Sequence, residues 1–430
     1  MIKLVVIADD LTGALDTGVQ FAKKKISTLV TSNLNYDEKY NDYSVFVINT
    51  ESRHLSPIQA KKIVKNILLD FSDKGISFFY KKIDSTLRGN IGSEIEGFIE
   101  GLKIQKLSLI PAFPLGNRTV KDGILYVDRI PLSETQFSRD ILNPVKDSYI
   151  PDILEKQTSI KSTLKDKTSI LSNLINSEKE IFVFDALTMI DLKNIGESLF
   201  RKNLLKYTAG SAGFAEILAD YIEAEYWNNK ILIDNDRCLF VCGSVNEISL
   251  KQCTYAETLG YNKETLNFKK IISHNCKELS GYMISNTDFK KKMEENKNIL
   301  IKTCDSKNVI KETIDYAKIN NLSIKTLTSN ISNNTGQFVA DLIFEYDLKN
   351  LIVFGGDTLT GILKKINCNY IIPLEEIVPG VVLTRAIYDN KFINIITKAG
   401  GFGDEDIIEK INSFMSLHLK ILDKEKFNIV

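Results

Sequence analysis

The residues best suited to chemistry in this chain stand just beyond apolar runs. Asp9 and Asp10 end the run Lys3-Leu-Val-Val-Ile-Ala8. In open α/β sheets ligands bind beyond the carboxyl ends of strands, and two adjacent acids there can accept hydrogen bonds from hydroxyls or hold a metal. Asp10 also fits a plainer role, capping the helix that follows. The densest polar cluster is Lys81-Lys82-Ile83-Asp84-Ser85-Thr86-Leu87-Arg88-Gly89-Asn90, directly after the aromatic run Phe78-Phe79-Tyr80. A solvated, salt-bridged loop has that composition too, but the cluster carries more donors than a plain turn needs. Arg53 follows Ile48-Asn49-Thr50 and is either a ligand group or a surface partner of Glu51. Together Arg53, Lys82 and Arg88 could pair with an anionic substrate, while Asp9 and Asp84 hold its hydroxyls.

Glycine is scarce, at 23 residues, so its clusters carry information. Gly355-Gly356-Asp357-Thr358 follows Leu351-Ile-Val-Phe354, and Gly400-Gly401-Phe402-Gly403-Asp404 follows Ile395-Ile-Thr-Lys398-Ala399. Each stands where a strand gives way to a helix. Glycine lets backbone N–H groups approach a phosphate, and a helix N-terminus adds partial positive charge. α/β proteins also use glycine at such turns for purely structural reasons. Neither GxxxxGK[ST] nor GxGxxG occurs, so no P-loop or standard dinucleotide fingerprint is present.

The elements that must hold these residues are α/β. Apolar runs at Lys3–Ala8, Ser44–Ile48, Ser77–Tyr80, Leu107–Ile110 and Ile181–Phe184 alternate with helical patterns at 56–71 and 92–102. A polar, Lys-rich region at 155–180 precedes the last of these runs. The stretch 111–148 holds four of the eight prolines and reads as a long irregular loop. A second α/β section starts near 231, with strands at Cys238–Cys242, 299–303, 351–354 and 393–397 and a helix beginning in Asp404-Glu-Asp-Ile-Ile. The boundary falls at about 225–238, giving domains 1–230 and 231–430.

At 430 residues the chain is long enough for more than one domain. Its 55 basic and 55 acidic residues cancel, and each half balances separately, 30 against 30 in 1–230 and 25 against 25 in 231–430. A general polyanion binder would need a basic excess, so no nucleic-acid partner is expected. No apolar run is long enough for a membrane span, and Met1 leads straight into a strand without a targeting segment. Only eight of the basic residues are Arg, at 53, 88, 118, 129, 139, 201, 237 and 385. Three of these (53, 88 and 118) fall in or beside the first domain's polar strings, which suggests a small, internally positive pocket. Six Cys without a CxxC pair read as buried reduced thiols in a cytoplasmic protein, and three His give no basis for a His-rich metal site.

The strings Ala8-Asp-Asp-Leu-Thr-Gly-Ala14, Lys81-Lys-Ile-Asp-Ser-Thr-Leu-Arg-Gly-Asn90, Pro111-Ala-Phe-Pro114, Ala209-Gly-Ser-Ala-Gly213, Gly355-Gly-Asp-Thr358, Pro379-Gly380 and Lys398-Ala-Gly-Gly-Phe-Gly-Asp404 resemble the four-carbon acid sugar kinase family, in order and spacing, from residue 5 to about 410. The resemblance implies two α/β domains, each with a largely parallel or mixed sheet flanked by helices, and an active site in the cleft between them. The N-terminal domain would bind the acid sugar and the C-terminal domain ATP with Mg²⁺. The substrate would be threonate, erythronate or 3-oxo-tetronate, phosphorylated on the terminal hydroxyl. By motif, the sugar would fall to Asp9, Arg53, Lys82, Ile83, Asp84 and Ser85, and the nucleotide to Ser244, Gly355, Gly356, Asp357, Thr358 and Gly401. Asp10, Arg88, Gly400 and Gly403 adjoin these strings and join the candidate set. An Asp would accept the proton of the attacking hydroxyl, Asp357 in first place and Asp84 as its rival.

The chain departs from the family pattern in the loop region. Asn117-Arg118 stands where Gly-Arg is usual, Arg129 near a usual Gly, and Asp140-Ile141 where Asp-Pro is usual. Asp16-Thr-Gly-Val-Gln20 resembles threonate and erythronate kinases more than 3-oxo-tetronate kinases. A non-catalytic acid-sugar sensor is the rival from another class; it would have no use for the glycine turns. Oligomeric state stays open, a homodimer included.

Overall fold

The computed structural model describes all residues except 36, 141, 166–177, 226, 228–230, 232, 234–236, 273–285, 296–297, 369, 400 and 428–430. The chain divides into two compact units, Met1–Asn228 and Asn229–Val430.

In the first unit β1 (Leu4–Ala8), β2 (Thr28–Thr31), β3 (Val45–Asn49), β4 (Phe78–Lys82) and β5 (Lys106–Ile110) are joined by helices. These include α1 (Leu11–Ala22), α2 (Pro57–Phe71) and α3 (Ile91–Gly101). β1 and β3 are apolar and buried along their whole length, as strands covered on both faces must be. With the later strands they form a parallel sheet in the order β2-β3-β1-β4-β11-β5-β10-β9, where β9 is Lys161–Lys165, β10 is Glu180–Phe184 and β11 is Tyr207–Gly210. The chain leaves β1 toward β2 and β3 on one side and continues at β4 on the other. That reversal opens a crevice at the carboxyl end of β1.

One expectation is corrected here. The stretch 111–148 is not one irregular loop: β6 (Arg118–Lys121), β7 (Ile124–Val127) and β8 (Ile130–Pro131) form an antiparallel sheet of their own within it. Pro131 ends the last strand, where a missing N–H costs no ladder bond. The Lys-rich region 155–180 contains the edge strand β9, half-buried and polar, so it lacks the apolar pattern of an inner strand. Arg129 has φ +68, the left-handed region that favours glycine, so the family's usual glycine there has a backbone reason.

In the second unit β12 (Cys238–Cys242), β13 (Asn262–Thr265), β14 (Asn298–Lys302), β15 (Asn350–Phe354), β16 (Tyr370–Val378), β17 (Val381–Tyr388) and β18 (Lys391–Lys398) form a mixed sheet, ordered β13-β14-β12-β15-β18-β17-β16. The run β13 to β18 is parallel, and β18-β17-β16 is an antiparallel meander. The five described cysteines are free thiols, and Cys276 lies outside the described residues. Among the described residues no helix is long and apolar enough to cross a membrane.

Candidate active site

Three neighbouring parallel strands, β3, β1 and β4, deliver the first unit's polar residues to one sheet edge. Asp9 and Asp10 follow β1, Arg53 follows β3, and Asp84 follows β4. The Arg53 guanidinium spans all three carboxylates. Its Nε donates to Asp9 Oδ2 at 2.6 Å and its Nη2 to Asp9 Oδ1 at 3.0 Å. Toward Asp10, Nη1 donates to Oδ2 at 2.9 Å and Nη2 to Oδ1 at 2.7 Å. Asp84 Oδ1 lies 3.6 Å from Nη2. Arg88 closes on Asp84 from the other side, with Nε to Oδ2 at 2.8 Å and Nη2 to Oδ1 at 3.1 Å, while its Nη1 lies 3.4 Å from Asp140. Arg53 is therefore no surface partner of Glu51. Asp10 caps α1, its Oδ1 accepting the Gly13 N–H at 3.0 Å, while the same carboxylate pairs with Arg53.

The expected internally positive pocket is lined by carboxyl groups as well: Asp9, Asp10, Asp84 and Glu94 stand among Arg53, Lys81, Lys82 and Arg88, which lowers the cost of burying those cations. Burial acts to raise the Asp9 carboxyl, but Arg53, Lys81 and Lys82 outweigh it and hold it below its usual value. At Asp84 the same burial is overcome by Arg88 and Arg53, with hydrogen bonds from Arg88 and Thr86, leaving the group well below the usual range. Asp10 goes the other way: burial, then Asp9 and Asp84, raise it against Arg53 and Lys82. Lys82 Nζ donates to Ile83 O at 2.8 Å and is 3 % exposed. Ile83 has both main-chain groups engaged, since its N–H donates to Gly210 O at 2.9 Å. Ser85 and Thr86 are buried beside it, and Thr86 Oγ1 donates to Asp84 Oδ2.

The string 209–213 proves to be packing. Gly210 sits where a Cβ would meet Ile110 O at 2.3 Å, and Ser211 Oγ donates to Ala112 O at 2.7 Å, locking it against Pro111-Ala-Phe.

In the second unit the neighbouring strands β12, β15 and β18 likewise bring their ends together. Gly243 and Ser244 donate their N–H groups to Phe354 O at 2.9 and 3.1 Å. Thr358 lies over this turn; a Cβ on Gly243 would stand 1.8 Å from its Oγ1. Gly355 has φ +117 and no side chain to cap the helix Gly356–Lys365. The first helical N–H groups, at Gly356, Asp357 and Thr358, have no intrahelical acceptor and are suited to an anion. Asp357 is exposed at that first turn. Gly401 is half-buried, Gly403 has φ +76, and Gly400 lies outside the described residues.

Sequence reasoning missed what shapes this last turn. Lys398 Nζ, in a side chain 1 % exposed, donates to Ala399 O at 3.0 Å and Phe402 O at 3.1 Å. Gln252 Nε2 donates to Phe402, Gly403 and Asp404 carbonyls at 3.3, 3.1 and 2.8 Å. The turn's carbonyls are drawn inward by buried donors. Burial pushes Lys398 down to about 8. The only signal in the sequence is a lysine closing an apolar strand.

The chain is thus a two-unit α/β protein with charged clusters and glycine turns at its strand ends. The first unit matches the sugar-binding N-terminal domain family over residues 4–218, and the second the nucleotide-binding C-terminal domain family over 239–408. The chain belongs to the four-carbon acid sugar kinase family, a family of sugar-acid kinases. It is 27% identical to a D-erythronate kinase of Heliobacterium modesticaldum, over 94% of this chain and 95% of that protein. It is 27% identical to a D-threonate kinase of Salmonella typhimurium, over 94% and 96%, and 23% identical to a 3-oxo-tetronate kinase of Haemophilus influenzae, over 94% and 98%. Among solved structures, a Salmonella typhimurium LT2 protein shares the fold with TM-score 0.75 at 21% identity, covering 96% of this chain and 99% of that one.

Proposed function

We propose that the protein transfers the terminal phosphoryl group of ATP to the C4 hydroxyl of a four-carbon acid sugar, D-threonate, D-erythronate or a related tetronate. The observation that carries this reading is the buried Asp9–Asp10–Arg53–Asp84–Arg88 constellation beside Lys82. A tetronate offers one carboxylate and several hydroxyls. Arg53 is saturated by aspartates, so it serves as a brace that fixes their lone pairs. Both Asp9 oxygens, Asp10 Oδ2 and Asp84 Oδ1 each take a single hydrogen bond and keep a lone pair for a sugar hydroxyl, whereas Asp84 Oδ2 is filled by Thr86 and Arg88. Lys82 is better placed for the substrate carboxylate: an ammonium has three donors, and Ile83 O takes one.

In the second unit the uncapped helix start at Gly355, with Ser244, Gly356, Asp357, Thr358, Gly401 and Gly403, would cradle nucleotide phosphates. Among the described residues no group of three His, Cys, Asp or Glu gathers as a metal site. Mg²⁺ in such enzymes rides on the nucleotide with one or two carboxylates, and bound there it would offset phosphate charge. Phosphoryl transfer asks chiefly for alignment and charge stabilisation. Asp84, held ionised by two guanidinium groups, is a weak proton acceptor and fits holding a hydroxyl. Asp357 remains our assignment for the group that takes the proton. The product is read by ¹³C and ³¹P NMR after incubation with D-threonate or D-erythronate and MgATP. Phosphorus coupled to C4 supports the reading; coupling at C2 or C3, or no phosphorylated product from any tetronate, contradicts it.

A further inference from the structure

Behind the Asp9–Arg53 cluster lies a row of four oxygens. Thr50 Oγ1 is 2.9 Å from Ala8 O, Ser52 Oγ is 2.6 Å from Thr50 Oγ1, and Glu94 Oε1 is 2.6 Å from Ser52 Oγ. Thr50 is 6 % exposed, and Ser52 and Glu94 are fully buried. Oxygen pairs at such separations are joined by a hydrogen. Three contacts need three hydrogens. The two hydroxyls supply one each, and the Ala8 carbonyl supplies none. With Glu94 ionised, one contact would set lone pair against lone pair.

We infer that Glu94 is a neutral carboxylic acid in the folded protein, and that its proton completes a hydrogen-bond chain from Glu94 through Ser52 and Thr50 to Ala8 O that positions the Arg53 loop. The loop needs such support. Glu51 within it has φ +50, and Arg53 N–H reaches Asp9 O at 3.3 Å. Asn90 Nδ2 secures the same loop from behind, at 3.1 Å from Ser52 O and 3.0 Å from Leu55 O. The charged groups facing Glu94 are Lys81, which favours the ionised form, and Asp9, which opposes it. Lys81 Nζ lies 2.8 Å from Oε2 and donates to Lys82 O at 2.6 Å and Ile7 O at 3.3 Å. A protonated acid keeps Oε2 as an acceptor for that ammonium, whose charge is met by Asp9. Burial pushes the Glu94 carboxyl up, and Asp9 adds to it, against Lys81.

The test has two arms, run on the full chain near neutral pH. Protonation is read by infrared difference spectroscopy, wild type minus Glu94→Gln. Loss of a protonated-carboxyl carbonyl band is expected; loss of a carboxylate band instead overturns the inference. Glu94→Gln mimics the neutral acid, its amide N–H serving Ser52 and its oxygen Lys81. It should keep the melting temperature close to wild type while Glu94→Leu lowers it; equal losses in both overturn the inference. The kinetic arm alone rests on the proposed role of Arg53. Ser52→Ala breaks both of that hydroxyl's hydrogen bonds, and it should raise KM for the acid sugar at least about tenfold and leave KM for ATP within about twofold, because the loop it holds carries a residue of the sugar side. Equal shifts in both constants, or none, overturn the positioning role. The infrared and melting results decide protonation whether or not the chain phosphorylates a tetronate.

Discussion

At the scale of single residues, Arg53 carries the heaviest electrostatic duty in the first unit. Arg53→Met would leave Asp9 and Asp10 facing each other in a buried site without the guanidinium that bridges them. Stripping one partner from a buried ion pair costs about 3–5 kcal/mol, so urea unfolding should move to markedly lower denaturant. Activity toward the acid sugar should fall with it. An unchanged unfolding midpoint would show that the guanidinium does not brace the carboxylates. Arg88 gives a pH-dependent counterpart. The folded Asp84 carboxyl lies below its unfolded value of 3.8, so its stabilisation is fully present above that pH and is lost as pH falls through the folded value. Arg88→Met removes the largest charge that depresses it. Wild type should exceed the variant in stability by about 1–3 kcal/mol at neutral pH, and the gap should begin to narrow below about pH 3.8 and close only as pH passes the lower folded value. A gap that is constant with pH would mean Arg88 acts through packing alone. Arg53 was legible in the sequence because arginine is rare here and this one follows a strand. Its partners were not, since pairing with Asp9 and Asp10 needs β1 and β3 to be neighbours. Glu94 was invisible: a polar residue inside a helical pattern reads as solvated, and only its burial among Ser52 and Lys81 shows otherwise.

At the scale of elements, strand ends do the positioning. The apolar runs at 3–8, 44–48 and 77–80 were readable because inner parallel strands are buried on both faces and show it in their composition; the strand at the last of them runs on through Lys81 and Lys82, which read as part of the polar cluster. β9 and the small sheet of β6–β8 were not, because edge and surface strands keep polar residues. The turn at Gly355 was legible from glycine scarcity, and its geometry supplies a prediction. At φ +117 a side chain is strained, and a Cβ there would also stand 3.2 Å from Ser244 N. Gly355→Ala should cost about 1–3 kcal/mol of stability and raise KM for ATP more than KM for the acid sugar. If both constants stayed at wild-type values, the turn would not be part of the nucleotide site. Lys398 shows the complementary failure of sequence reading. Its string was recognised for its glycines, while the lysine that gathers the turn's carbonyls looked like the ordinary end of a strand.

At the scale of the whole molecule, zero net charge conceals a local gathering of both signs. Asp9, Asp10 and Asp84 share one buried corner of the first unit with Arg53, Lys82 and Arg88, and Lys81 lies behind it against Glu94. Such a corner is ill-suited to polyanions and well suited to a small ligand that carries one negative charge and several hydroxyls. The measurement that tests this most directly is ADP release, coupled to a spectrophotometric readout. It is run with MgATP against D-threonate, D-erythronate, 3-oxo-tetronate and the corresponding neutral tetritols. We expect release to require both MgATP and a tetronate, to be fastest with D-threonate or D-erythronate, and to be at least about tenfold weaker in kcat/KM with tetritols that lack the carboxylate Lys82 would hold. ADP release at equal rates with tetronates and tetritols, or none with any tetronate, would contradict an acid-sugar kinase built on this site.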